Sequence, residues 1–250
     1  MIPNPIRKVL FTLQMRQVQY LLMGGQACVL YGAAEFSRDT DIALLAEPGN
    51  LDCLRQALED LQAECIAVPP FQLEYLQRGH AVHFRCRQSD AAGMRLDVLA
   101  KMRGVAPFAE LWEGRLTVEV EPGVMVEVLS LPDLVQAKKT QRDKHWPMIR
   151  RLLEAHYARC RDEPNSERIN FWLREMRTEA LLLELAERYP VELAGLCSIR
   201  PLLALASGAQ LSELTIALQA EEQRERAADR QYWQPLRVEL EQLRRRKPQP

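Results

Sequence analysis

One stretch constrains this chain more than any other: LLMGGQACVLYGAAEFSRDTDIALL, residues 21–45. YLLMG at 20–24 reads as a short buried strand that ends in two glycines. QACVLYGAA then spaces its apolar residues as a helix does and stops near Gly32. TDIALLA at 40–46 is a second strand, closed by the turn signal EPGN. A strand, a glycine turn, a helix and another strand in close succession commit this part of the chain to a sheet with a helix packed on it. In a strand, side chains two residues apart share a face. Asp39, Asp41 and Ala43 therefore fall together if the strand already begins at Asp39.

The rest of the first half follows the same logic. Asn4-Pro5 supplies a cap and a first-turn proline for an amphipathic helix over 5–17. LDCLRQALEDLQA (51–63) places Leu51, Leu54, Leu58 and Leu61 on one helical face. ECIAV reads as a strand broken by PP. HAVHFRCR (80–87) and MRLDVLA (94–100) alternate on either side of QSDAAG and form an antiparallel hairpin. RLTVEVEPGVMVEVLS forms another, turned at Glu121-Pro122-Gly123. From Pro132 the pattern is helical: 132–141, then 143–160, then further helices to the end, the last of them broken near Pro235. The polar run RCRDEPNSER (159–168) marks a boundary. The expected fold class is α+β: a mixed sheet flanked by helices over 1–160, followed by an all-α region over 166–250.

Bulk properties narrow the function. A chain of 250 residues, 47% hydrophobic, can bury one large core or two modest ones. Its net charge of -1 excludes a uniformly basic nucleic-acid binder, so any such contact depends on local patches. The six cysteines lack C-x-x-C spacing and sit mostly in apolar segments, which reads as buried free thiols in a reducing compartment rather than a zinc site. No run approaches the ~18 consecutive apolar residues of a membrane helix, and the N-terminus lacks the apolar core of a secretory leader. The expectation is a cytoplasmic protein without a membrane partner.

The carboxylates carry the chemistry. Asp97 shares a strand face with Arg95 and Leu99, opposite Met94, Leu96 and Val98. Burying an unpaired carboxylate is costly, so each acid requires a partner. Three aspartates from neighbouring strands repel one another unless a cation neutralises them, and Mg²⁺, a hard ion that takes oxygen ligands, suits them best. Gly24-Gly25 at a strand-to-helix turn lets backbone N–H groups approach a phosphate. The competing structural reading pairs Asp39 and Asp41 with Arg38, and Asp97 with Arg95 or Arg85 at the sheet edge. Lys138, Lys139, Arg142 and Lys144 form a basic run that serves phosphate or nucleic acid, or else is a solvated helix face. His80 and His83, three apart, do not share a strand face and make no metal pair. His145 and His156 read as single surface residues, Trp146-Pro147 as a packing anchor, and the terminal RRRK as a weak phosphate cue.

Residues 21–45 resemble the opening of the nucleotidyltransferase superfamily with the polymerase-β-like fold, nearest the AbiEii-type proteins of abortive-infection and toxin–antitoxin systems. That pattern is a strand, a Gly-Gly or Gly-Ser turn, a helix, an Asp-x-Asp strand and a later third Asp. VEVLSLPDLVQAKKTQRDKHWPMIRRLLEA (126–155) resembles a downstream helical part of the family, and the two matches together cover about 15–158. Aligned from the glycines without gaps, the metal pair is Asp39 and Asp41. A second register sets it on Asp41 and Ala43 and deletes one ligand. With the first register, the resemblance implies two Mg²⁺ ions held by Asp39, Asp41 and Asp97, with an NTP whose phosphates lie along Gly24, Gly25, Gln26 and Lys138. It implies transfer of a nucleoside monophosphate to a hydroxyl of RNA such as tRNA, of a protein or of a small molecule. A toxin or phage-defence role and an antitoxin or other partner on the helical C-terminal region belong to the same expectation. The alternative is a catalytically degenerate binding or assembly module on the same fold.

Overall fold

The computed structural model describes residues 4–208 and 210–246. Lys247 of the terminal RRRK lies outside the described residues. The chain divides into two compact units: Met1–Leu30 with Ala34–Ala137 and Tyr232–Pro250, and Tyr31–Ala33 with Lys138–Gln231. The helix over 143–160 and the basic run from Lys138 thus belong to the second unit, ahead of the boundary expected at 160–166.

The first unit is α+β. Its helices are α1 (Asn4–Met15), α2 (Gly24–Leu30), α3 (Pro48–Asp60), α4 (Leu73–Arg78), α5 (Phe108–Glu113) and α6 (Leu131–Lys138). Its strands are β1 (Tyr20–Met23), β2 (Asp39–Leu44), β3 (Glu64–Cys65), β4 (Val82–Arg85), β5 (Arg95–Leu99), β6 (Leu116–Glu121) and β7 (Val124–Val128). Among the described residues they form one mixed sheet in the order β3-β4-β5-β2-β1-β7-β6. β2–β5 and β1–β7 run parallel; the other pairs are antiparallel. Both expected hairpins form: β4 pairs β5 and β6 pairs β7. ECIAV shrinks to a two-residue edge strand, followed by Pro69 and Pro70, which lack ladder donors.

Leu22, Ile42, Leu44, Leu96, Val98, Val82 and Phe84 are buried and share one face of the sheet by register. Leu51, Leu54, Leu58 and Leu61 of the 51–63 stripe are buried too, as are Ile6, Val9, Leu10 and Leu13 of α1. This apolar face holds the sheet rigid, which leaves the opposite face of β2 and β5 free to present polar groups.

The second unit is helical: α7 (His145–Cys160), α8 (Ser166–Glu175), α9 (Glu179–Arg188), α10 (Pro190–Leu196), α11 (Leu203–Ser207) and most of α12 (Leu211–Arg246). Tyr157 and Trp172 meet edge to face, with ring centroids 4.9 Å apart, in a core with Leu152, Leu153, Leu173 and Leu182. The expected break near Pro235 does not occur. Proline sits inside a continuous α12, which loses one backbone donor there and carries on. Of the six thiols only Cys28 and Cys86 are buried; Cys65 is exposed and the others are half-buried, so the expectation of a mostly buried set is corrected. Apolar neighbours in sequence lie on both faces of an amphipathic element, and a cysteine can fall on either. Among the described residues no helix is long and apolar enough to cross a membrane.

Candidate functional site

β2 begins at Asp39, with alternating exposure that puts Thr40 inside and Asp39 and Asp41 on the other face. Its register then builds a row across four strands. Asp41 lies opposite Met23 of β1 on one side and Asp97 of β5 on the other, and Asp97 lies opposite His83 of β4. One step away, Asp39 lies opposite Arg95, and Arg95 opposite Arg85. Paired residues project to the same side of a sheet. The polar face therefore carries Asp39, Asp41, Asp97, His83, Arg95 and Arg85 together. Ala43 is on the same face but buried deeper in the strand, at 2% exposure.

Asp41 is fitted to the glycine turn. Gly24, at φ +65°, has no room for a side chain: a Cβ there would stand 1.9 Å from Asp41 Oδ2. The Gly25 N–H donates to the same oxygen at 3.4 Å. Gly25 is equally close to Ser37, whose Oγ would lie 2.3 Å from an added Cβ. The anion that this turn faces is thus the chain's own carboxylate. Gln26 is 2% exposed, and its amide nitrogen donates to the Ser37 carbonyl at 3.0 Å. It pins the loop leading into β2. Thr40 Oγ1, fully buried, has no hydrogen-bond partner among the described residues.

Asp97 is already neutralised from within. Arg95 Nε donates to Asp97 Oδ1 at 2.7 Å, and His83 Nδ1 lies 2.9 Å from that oxygen. Arg95 Nη2 also lies 3.1 Å from His83 Nδ1. Burial works against the charged carboxyl, but the hydrogen bonds and charges of His83 and Arg95 outweigh it and hold Asp97 below the usual carboxylate range. Arg95 in turn is raised, first by its hydrogen bond to Asp97, with burial opposing, and then by the charges of Asp97, Asp39 and Asp41. One guanidinium therefore responds to all three acids. Among the described residues no group of three or more His, Cys, Asp or Glu side chains is placed to hold a metal ion as it stands.

Arg95 was foreseeable as a same-face neighbour of Asp97 two residues away. His83 was not, because it shares no strand face with His80. The signal lay in the hairpin register, which sets residue 83 against 97. His80 is fully buried and pairs through Nε2 with Glu239 at 2.7 Å, so it serves the packing of the first unit. Lys138 belongs to the second unit and is 7% exposed, as is Lys139, whose Nζ pairs with Glu175 at 2.8 Å. The two lysines are therefore not part of a solvated face. His145 and His156 are half-buried, not surface residues, because each accepts a place in the hydrogen-bonded packing around α7. A groove of about 520 Å³ is lined by Arg7, Phe11, Asp90 and Glu121 among others, none of them from the carboxylate row.

No family model matches the sequence, and no curated protein matches it.

Proposed function

We propose that this chain is a magnesium-dependent nucleotidyltransferase that moves a nucleoside monophosphate from an NTP to a hydroxyl acceptor. The observation that carries this reading is the placement of Asp41 and Asp97 as register neighbours on parallel β2 and β5, with Asp41 against the Gly24-Gly25 turn and Asp39 on the same face. The donor set suits a hard divalent ion, because carboxylate oxygens from adjacent strands lie on one rigid surface. Asp39, Asp41 and Asp97 would hold it. When bound, two Mg²⁺ ions supply charge neutralisation for the triphosphate and acidify the acceptor hydroxyl.

The chain's own groups do the positioning. The steric fit of Gly24 fixes the Asp41 carboxylate, Gln26 holds the loop before β2, and Arg95 keeps Asp97 ionised and oriented. RNA such as tRNA, a protein or a small molecule can serve as acceptor in this reading, and a toxin or phage-defence role with a dedicated partner follows only from the sequence resemblance. The direct test is incubation with labelled NTPs, Mg²⁺ and total RNA or protein. Transfer that disappears in Asp41→Asn and Asp97→Asn supports the proposal; no transfer by the unmodified chain defeats it.

A specific observation favours a second reading. Arg95 gives Asp97 a permanent counter-charge, with His83 Nδ1 beside the same oxygen, which a nucleotide-binding module without catalysis would use in place of metal. NTP binding that is unchanged by chelation, with no transfer, would select it.

A further inference from the structure

The exposed side of α7 has an unusual charge balance for a protein of net charge -1. Lys144, Arg150, Arg151, Arg159 and Arg161 are all exposed. At about 100° per residue they fall within about half of the helix circumference, along about 25 Å of its length. Pro147 and Ala158 complete the exposed arc. The one acid within it, Glu154, is half-buried and accepts a hydrogen bond from Thr178 Oγ1. Asp143, next to Lys144, is turned to Arg226; Asp162 and Glu163 follow the helix end.

Several arginines elsewhere are paired, Arg7 with Glu121, Arg16 with Asp60, Arg87 with Glu64 and Arg115 with Glu127, and others, Arg85, Arg174 and Arg230 among them, are exposed singly. The side chains of these five cations, three on α7 and one at each of its caps, have no ion-pair or hydrogen-bond partner among the described residues. The local field reaches the histidines of the same helix. Burial first, and then the charges of Lys138, Arg142 and Lys144, pushes His145 down to about 3. Burial and the charges of Arg159 and Arg168 push His156 down to about 4.

We infer that this face of α7 is a docking surface for the phosphate backbone of a nucleic acid. Four arginines and a lysine on one exposed face supply the positive charge that a polyphosphate backbone requires, and arginine binds phosphate oxygens in a bidentate fork. A membrane surface is the poorer fit. Trp146, Ile149, Leu152, Leu153 and Tyr157, the apolar side of the helix, are buried in the second unit and cannot enter a lipid interface. Contacts to phosphate alone give affinity and register without sequence choice. It stands independently of the carboxylate row and of any transfer reaction.

The test uses the full chain and a labelled single-stranded RNA, with a DNA duplex and anionic vesicles as parallel arms, at stepped salt. Four to five phosphate contacts give a slope of log K against log salt of about -3 for the single strand. Arg150→Gln/Arg151→Gln/Arg159→Gln should lower that slope by about 2 and weaken binding at least tenfold at low salt. The triple lysine variant at the same positions should retain most of the binding. Circular dichroism and thermal unfolding confirm that the variants fold, which is expected because none of these side chains holds a partner. Three results overturn the inference: binding of neither RNA nor DNA by the unmodified chain, equal nucleic-acid binding by the glutamine variant, or charge-dependent binding to vesicles without binding to either nucleic acid.

Discussion

Gly24 and Asp41 occupy each other's space: a single methyl group on the glycine would stand 1.9 Å from Asp41 Oδ2, well inside contact distance. The φ of +65° at Gly24 adds a second penalty for any side chain. Gly24→Ala is therefore expected to destabilise the first unit by about 2–4 kcal/mol and to displace the Asp41 carboxylate. Gly49, in α3, meets nothing within 4 Å, so Gly49→Ala should be neutral or stabilise by up to about 1 kcal/mol. Gly25→Ala should fall between, because its obstacle is the Ser37 side chain, which can turn aside. Urea denaturation of the three variants checks the order. A Gly24→Ala variant as stable as the Gly49 control would refute the close fit.

Arg95 is the internal cation of the carboxylate row, and it competes with any external one. Removing its charge leaves Asp97 beside His83 and takes away a positive charge that acts on Asp39 and Asp41. Arg95→Gln should bind Mn²⁺ several-fold more tightly than the unmodified chain, measured by the loss of the free-ion electron paramagnetic resonance signal. Asp97→Asn should bind it more weakly than either. An Arg95→Gln affinity equal to or below that of the unmodified chain would mean that the guanidinium orients Asp97 without excluding metal.

The sheet-forming half of the chain was readable because its signals are local. Alternation in HAVHFRCR and MRLDVLA, and glycines at 24, 25 and 123, each specify a conformation within a few residues. β2 starts at Asp39 and sets Asp41 at the glycine turn, with Asp39, Asp41 and Ala43 on one face, as both Asp registers require. What sequence alone left open was set by pairing between distant segments. The juxtaposition of His83, Arg95 and Asp97 depends on hairpin register, and the burial of Lys138 and Lys139 depends on partners such as Glu175, far along the chain. Pro235 misled for a related reason. A proline removes one helical hydrogen bond, but the packing of a 36-residue helix on either side of it keeps the helix continuous.

Glu221 holds two arginines at once in the second unit. Arg177 Nη1 reaches it at 2.6 Å and Arg200 Nη2 at 2.9 Å, both guanidinium groups being almost fully buried. Arg200 also donates to the Leu173 and Met176 carbonyls, which closes the end of α8. Burial opposes its charge, yet the hydrogen bond and charges of Arg200, then the charge of Arg177, hold Glu221 below the usual range. Breaking such a site from one side leaves uncompensated buried charge, so Glu221→Gln should cost about 3–5 kcal/mol. Adding Arg177→Met to it should recover part of that loss. Chemical denaturation of the single and double variants reads the difference, and strict additivity would show that the pair does not interact.

His156 makes the stability of the second unit depend on pH. The Trp172 Nε1–H donates to His156 Nδ1 at 2.9 Å, so that nitrogen must stay unprotonated, and the imidazole packs edge to face against Phe171. Burial, helped by the charges of Arg159 and Arg168, lowers its pKa from 6.5 to about 4. In the unfolded chain the ring titrates near its ordinary value, so between about pH 6.5 and 4 the unfolded state binds a proton that the folded state refuses. The contribution of His156 is therefore complete above about pH 6.5, declines as the pH falls and is gone by about pH 4. Discounted for partial exposure, it amounts to about 1–2 kcal/mol. His156→Gln can still accept from Trp172 but cannot take up a proton. It should flatten the decline over this window, leaving a remainder from His145, which is held down for the same reasons. Unfolding free energies measured at several pH values for both proteins decide it: parallel curves would show that the Trp172 bond does not require a neutral ring.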